Sequence, residues 1–160
     1  TLISFGVFKP TGLGRLDLMA KRGAKQALTD KEKIEFTRVL ERCERICAAC
    51  QEAWIPVLID AEHSWIQDPV DDIARDMMEK FNQEKPIVHN TYQLYRHDKL
   101  ASLKADFAYA SVRNFHLGAK LVRGAYMEIE SDRAKSEGYA PPIQLNNAGS
   151  DTHYYHAILF

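Results

Sequence analysis

The sequence predicts an α/β fold of parallel strands with helices outside, and within that class a (β/α)8 barrel of TIM type, of which these 160 residues hold about half. Three observations carry the prediction. Apolar, β-type runs alternate with amphipathic helical segments in the order β-α-β-α-β-α-β-α, and connections that contain a helix join parallel strands. No glycine-rich turn leads directly from a strand into a helix, as a doubly wound nucleotide-binding sheet requires. Polar residues gather where the strands end, which is where a barrel builds its sites. They are Lys9, then Asp60 and Glu62, then His89 and Asn90, then Lys120, Arg123 and Tyr126.

Taken in order, Leu2 to Phe8 reads as the first strand, and Lys9-Pro-Thr-Gly12 as its exit loop. Gly12-Leu-Gly14 lacks the third glycine of a phosphate loop and reads as a turn. Arg15 to Leu28 holds a short helix and a loop. Thr29 and Glu32 form a capping box, and the helix they open runs to about Ala53. Its apolar face is Phe36, Leu40, Cys43, Cys47, Cys50 and Trp54. Ile55 to Ala61 is the second strand. Asp68-Pro69 reads as a cap followed by a first-turn proline, opening a helix that buries Val70, Ile73, Met77 and Phe81.

Pro86 to Tyr92 is the third strand. Asp98 to Phe115 is helical, with Leu100, Leu103, Phe107 and Ala110 expected inward. Leu117 to Val122 is the fourth strand, and Lys120 is costly inside it unless a polar or anionic group meets it. Met127 to Glu137 is a charged helix closed by Gly138. Pro141-Pro142 breaks the chain, and Asp151 to Phe160 opens another helix.

Composition bounds the function classes. Lys plus Arg is 21 and Asp plus Glu is 22, so the charge excess expected of a nucleic-acid partner is absent. No apolar run is long enough to span a bilayer. The chain lacks an initiator Met, falls straight into a strand and stops within an amphipathic segment, so residues 1–160 read as a fragment of one barrel domain. Cys43, Cys47 and Cys50 have the C-x3-C-x2-C spacing of radical iron–sulfur enzymes, but the helical period places them on a buried face as small hydrophobes. Three thiols without a disulfide framework fit a reducing compartment. A metal site from Asp60, Glu62, His63 and His89 is disfavoured, since neighbouring side chains on a strand alternate faces. No metal ligand set is assigned. Lys9 also has the chemistry of a Schiff-base lysine.

Four stretches carry a family resemblance. Lys120-Leu-Val-Arg-Gly-Ala-Tyr126, followed by Glu128, Glu130 and Ala134, resembles the signature of proline dehydrogenases. So do Glu84 to Gln93, Val57-Leu-Ile-Asp-Ala-Glu62 and Phe8-Lys-Pro-Thr-Gly-Leu13, with Asp151 to Tyr154 resembling the start of the next helix. The matches run in family order from about Ser4 to Tyr155.

The resemblance implies a (β/α)8 barrel that binds FAD and oxidises L-proline to Δ1-pyrroline-5-carboxylate, passing electrons to a membrane quinone. Position by position it implies that Lys9 meets the proline carboxylate and that Asp60 sits between that lysine and the flavin region, holding cations. Ala61 packs beside the flavin ring, and Asn90 hydrogen-bonds its pyrimidine edge. Lys120 lies near N5. Arg123, Gly124 and Ala125 run along the cofactor, and Tyr126 covers the substrate ring. Many relatives carry Arg where Lys120 stands and Gln where Asn90 stands, and Lys cannot make a bidentate contact. The family's carboxylate-clamping arginine pair, on its last helix, falls outside these residues, so the fragment alone is expected to be inactive. Hydroxyproline oxidation on the same scaffold, or a non-catalytic α/β fragment, are the alternatives. A quinone acceptor implies peripheral membrane contact, at the cytoplasmic face of a bacterial inner membrane or the matrix side of the mitochondrial one.

Overall fold

The computed structural model describes residues 3–160. Its elements are β1 (Gly6–Phe8), α1 (Leu16–Gly23), α2 (Asp30–Glu52), β2 (Val57–Ile59), α3 (Ser64–Phe81), β3 (Val88–Gln93), α4 (Lys99–Arg113), β4 (Ala119–Val122), α5 (Met127–Glu137) and α6 (Asn147–Leu159). The four strands form one sheet in the order β1-β2-β3-β4, every pair parallel. Spatial order that follows sequence order is single winding. A doubly wound sheet would reverse direction at a switch point. These are four consecutive βα units of a (β/α)8 barrel. Leu2, expected in the first strand, lies outside the described residues.

Local chemistry sets the helix boundaries. At α2 the Thr29 hydroxyl accepts from the Glu32 amide at 3.3 Å, and the Glu32 carboxylate accepts from the Thr29 amide at 2.9 Å. Lys21 on α1 also meets that carboxylate. With Lys21 as the first cause and the two Thr29 bonds behind it, the Glu32 carboxyl is held down to about 2. The inner face of α2 carries Val39, Cys43 and Cys47, all fully buried. Burial pushes the Cys43 thiol up to about 11 and Cys47 further still, so both are inert packing groups.

Two helix starts and one helix face differ from the expectation. Helix α3 starts at Ser64 and carries Pro69 inside it. Proline denies the Trp65 carbonyl its helical donor, and α1 packs against that carbonyl. A Cβ on Gly23 would stand 2.2 Å from the Trp65 oxygen, so only glycine fits the crossing. Helix α6 starts at Asn147, capped by the Asn146 side chain, which accepts from the Gly149 amide at 3.0 Å. On α4, Leu103 and Ala110 are buried, but Phe107 is exposed and packs edge-on to Phe160. The inner face there is completed by Asp106 and Lys99, both buried. Asp106 accepts from the Tyr92 hydroxyl at 2.8 Å and from Arg75 at 3.0 Å, which is how a charge survives burial.

The main core lies between the helix-facing side of the sheet and helices α1 to α3, centred on Val57, Ile59, Ile66, Ile73, Met78 and Val88. A second cluster of Tyr92, Leu94, Leu103 and Ala157 joins β3 to α4 and α6. One buried amide ties the bottom of the sheet together. Asn82, just past α3, donates to the carbonyls of Val88 and His116, each at 2.8 Å. Its oxygen accepts from the amides of Ile87 and Val88 at 3.0 and 2.8 Å. The end of α3, the start of β3 and the approach to β4 are thereby held in one register.

Candidate functional site

The pleat decides which strand residues can meet. Cα partners in neighbouring parallel strands share a face. The row Phe8, Ile59, Asn90, Ala119 is in register, and Ile59 is fully buried in the helix-side core. That row therefore points outward. The rows beside it, Val7 with Leu58 and His89, and Thr91 with Lys120, point to the barrel interior.

Above the strand ends lies a cavity of about 200 Å³. Of the expected site residues, Lys9, Asp60, Ala61, Lys120, Ala125 and Tyr126 line it. The Lys120 ammonium donates to Asp60 Oδ1 at 2.5 Å, the anionic partner that a lysine within a strand requires. Lys9 Nζ donates to the Tyr126 hydroxyl at 2.7 Å. That bond first, and the nearby carboxylates Glu62 and Asp60 after it, hold the Lys9 ammonium above the ordinary lysine range despite partial burial. Lys9 is thus a fixed cation at neutral pH. Tyr126 sits at the turn from β4 into α5 with φ 49°, a left-handed conformation that costs a non-glycine residue on the order of 1–3 kcal/mol.

Three expected residues lie elsewhere. Asn90 is fully buried on the helix side: it donates to Asp71 Oδ1 at 3.0 Å, and its own oxygen accepts from the Thr91 amide at 2.8 Å. Lys99 closes the same network on Asp71 at 2.6 Å. Strand parity turns Asn90 away from the cavity, and the expectation of a ligand contact from it is corrected. Arg123 follows the same outward parity; it is exposed and paired with Asp151 of α6. Gly124 does not line the cavity, and a Cβ there would meet only the Met127 sulfur at 3.7 Å.

The upper inward positions on β3 are Thr91 and Gln93, and both line the cavity. Thr91 gives its hydroxyl to the Ile59 carbonyl at 2.8 Å. Gln93 is 2% exposed. Its Nε2 donates to the Glu62 carbonyl at 2.6 Å and to the Tyr95 hydroxyl at 2.9 Å, which fixes the amide orientation. Its Oε1 is buried with no partner. A buried carbonyl left unpaired costs free energy, so this oxygen is an acceptor held ready for a donor in the cavity. Sequence reasoning passed over Gln93. The signal appears only with the register: Lys120 pairs with Thr91, and counting by two from there reaches Gln93 and not Asn90.

Glu62, considered above as a metal ligand, is buried and holds the rim instead. Its carboxylate accepts from the Thr11 hydroxyl at 2.6 and 2.7 Å, and its amide is held by Gln67 at 2.7 Å. His89 lies inward and lower, and burial pushes its imidazole down, so it is neutral at pH 7. A larger groove of about 630 Å³ runs between α1, α3 and α4, away from the strand ends. Its two buried charges are already paired, Lys99 with Asp71 and Asp106 with Arg75. The cavity over the strands, with two lysines, one carboxylate and a free amide oxygen, suits an anionic or zwitterionic ligand beside a ring with a donor at its edge.

Residues 11–160 match the sequence model of the family described as proline dehydrogenase. The chain is 39% identical over 129 residues to "Proline dehydrogenase 1, mitochondrial" of Drosophila melanogaster, covering 81% of this chain and 19% of that protein. It is 32% identical over 138 residues to the hydroxyproline dehydrogenase of Xenopus laevis, covering 86% of this chain and 30% of that one. The chain thus spans a fifth to a third of these relatives' length. Among solved structures, proline utilization A from Bdellovibrio bacteriovorus inactivated by N-propargylglycine superposes with a TM-score of 0.79 at 22% identity, over 94% of this chain and 15% of that one.

Proposed function

The chain belongs to the proline dehydrogenase family, and on that premise we propose that the complete protein oxidises L-proline to Δ1-pyrroline-5-carboxylate, using FAD and passing electrons to a quinone, with residues 1–160 forming part of its single catalytic barrel. The observation that carries the reading is the meeting of Lys9, Asp60, Lys120 and Tyr126 at one cavity over parallel strand ends.

The lining suits the flavin. A buried acceptor at Gln93 Oε1 matches the single ring N–H, the Lys120 cation matches an electron-rich edge, and Ala61 and Ala125 leave room for a flat ring. FAD held there supplies a two-electron acceptor for the hydride that leaves proline as its C–N bond becomes double. The chain's own residues bind and orient. Lys9, charged across the neutral range, takes the substrate carboxylate. Tyr126 closes over the substrate ring. Lys120, held by Asp60 at 2.5 Å, presents a fixed positive charge to the cofactor and favours negative charge developing there. The amide role first given to Asn90 passes on this reading to Gln93, and Arg123 and Gly124 lie along the cofactor outside the cavity.

A second reading, hydroxyproline as substrate, is favoured by the likeness to the Xenopus enzyme. A quinone acceptor puts the protein against a membrane, on the matrix side of the mitochondrial inner membrane or the cytoplasmic face of a bacterial one. Among the described residues no helix is long and apolar enough to cross it; the contact proposed is peripheral. The test is spectroscopic. The complete protein should show a flavin spectrum bleached by L-proline and not by D-proline, and turnover of L-proline against 4-hydroxyproline separates the two substrates. A colourless protein, or one inert to both, would overturn the reading.

A further inference from the structure

Beside the cavity four side chains stack in a row, and all but Tyr126 lie outside the roles assigned above. The Tyr126 ring meets His63 edge-on, with centroids 4.5 Å apart and planes at 63°. His63 lies flat on Trp65, again at 4.5 Å, with planes 2° apart. The Arg133 guanidinium covers the far side, 4.5 Å from the Trp65 ring centroid. The row runs from the rim to the outer face of α5. A second tie runs parallel to it: the Glu130 carboxylate, buried on α5, accepts from the amide and hydroxyl of Ser64 at 2.7 and 2.6 Å. The first turns of α3 and α5 are therefore locked together directly behind Tyr126.

His63 Nδ1 is buried and has no hydrogen-bond partner. A histidine kept for hydrogen bonding would not leave that nitrogen bare. What the ring contributes is a flat apolar surface, stacked on one side and meeting a ring edge on the other. Tyr126 needs such a surface. Its backbone is held at φ 49°, and its hydroxyl is bound to Lys9 Nζ. An anionic group arriving at Lys9 can draw the ammonium, which has three N–H donors, away from the hydroxyl. Once that tie loosens, His63 is what still holds the ring over the cavity.

We propose that His63 is a positioning residue: stacked on Trp65, it fixes the Tyr126 ring while Lys9 exchanges the tyrosine hydroxyl for the anionic group of a ligand. The identity of that ligand as proline rests on the functional reading above; the positioning does not.

The test uses the complete flavoprotein with 3-fluorotyrosine placed at position 126, read by ¹⁹F NMR, and steady-state kinetics with L-proline. In His63→Ala the single ¹⁹F line should broaden or split, and KM for L-proline should rise about 3- to 10-fold, the range an aromatic contact supports, with kcat and flavin content nearly unchanged. His63→Phe keeps the stack and should restore both readings. His63→Asn keeps a polar group near Nδ1 but no ring, and should restore neither. An unchanged ¹⁹F line in His63→Ala, or rescue by Asn as good as by Phe, overturns the proposal. If the alanine variant fails to fold, the Phe and Asn variants decide between stacking and hydrogen bonding by the same two readings. If proline reduces the flavin in no variant and not in the parent, the functional reading fails, while the ¹⁹F comparison still decides the positioning.

Discussion

The ammonium of Lys120 on β4 reaches Oδ1 of Asp60, just past β2, at 2.5 Å across the intervening strand β3. Lys120 is in register with Thr91, and Asp60 follows Ile59, the partner of Asn90, so both stand on the Thr91 level and face the interior. The pair holds the ammonium in place at the cavity wall. In the complete protein, Lys120→Ala should lower kcat for L-proline by about 100-fold, the scale of a lost electrostatic contact to developing charge. FAD affinity should change far less. Asp60→Asn should lower kcat/KM by about tenfold, and the double variant should fall short of the product of the two losses, because the residues act as a unit. Equal losses of rate and flavin retention in Lys120→Ala would mean that the lysine only binds.

Opposite parity on one strand predicts different phenotypes for two amides. Gln93→Met should weaken FAD binding about tenfold, the scale of one hydrogen bond, and also lower stability by about 1–3 kcal/mol, because the Glu62 carbonyl and the Tyr95 hydroxyl lose their donor. Asn90→Ala should cost stability alone, about 1–3 kcal/mol by leaving Asp71 short of a donor, and leave flavin affinity intact. Flavin titration and thermal unfolding of the two variants check this.

Asn82 is a stability position far from the cavity. Asn82→Leu would strand two amides and two carbonyls that it now satisfies. At about 1 kcal/mol or more for each group, the loss should exceed about 3 kcal/mol and be visible as a large fall in denaturant midpoint or in soluble yield.

The capping box at α2 carries a pH signature. The folded-state pKa of Glu32 is lowered from 4.5 to about 2. Its stabilisation is therefore fully present above pH 4.5 and is lost as the pH falls through about 2. The stability difference between parent and Glu32→Gln should be constant from pH 7 to pH 5 and shrink steadily below that. Lys21→Met should move the carboxyl upward, but not to 4.5, since the Thr29 bonds remain. Stability measured against pH, and side-chain ¹³C titration, check both.

Much of this was legible in the residues, for physical reasons. Capping chemistry is local, so Thr29 and Glu32 announced the start of α2. Apolar period is local too, and it put Cys43 and Cys47 in the core, where they lie. The βα alternation named the fold class. What escaped reading depended on partners distant in sequence. Pro69 suggested a helix start because proline favours first turns; that α3 carries it inside, with Gly23 of another helix packed against the freed Trp65 carbonyl, involves a contact distant in sequence. Phe107 was expected inward and Asp106 was not, because hydropathy cannot foresee a carboxylate already paired with Arg75 and Tyr92. Asn90 was placed at the rim because a polar residue near a strand end looks alike on either face until the register is known.

Glu62 joins three successive βα units. Its side chain grips Thr11 after β1, its backbone nitrogen is gripped from α3, and its carbonyl anchors Gln93 on β3. The separation between Lys9, Asp60 and Gln93 is in effect measured out by one residue. An engineer who wanted a different substrate could vary the cavity wall freely and still keep a working frame, but moving that glutamate would shift every tooth of the comb at once.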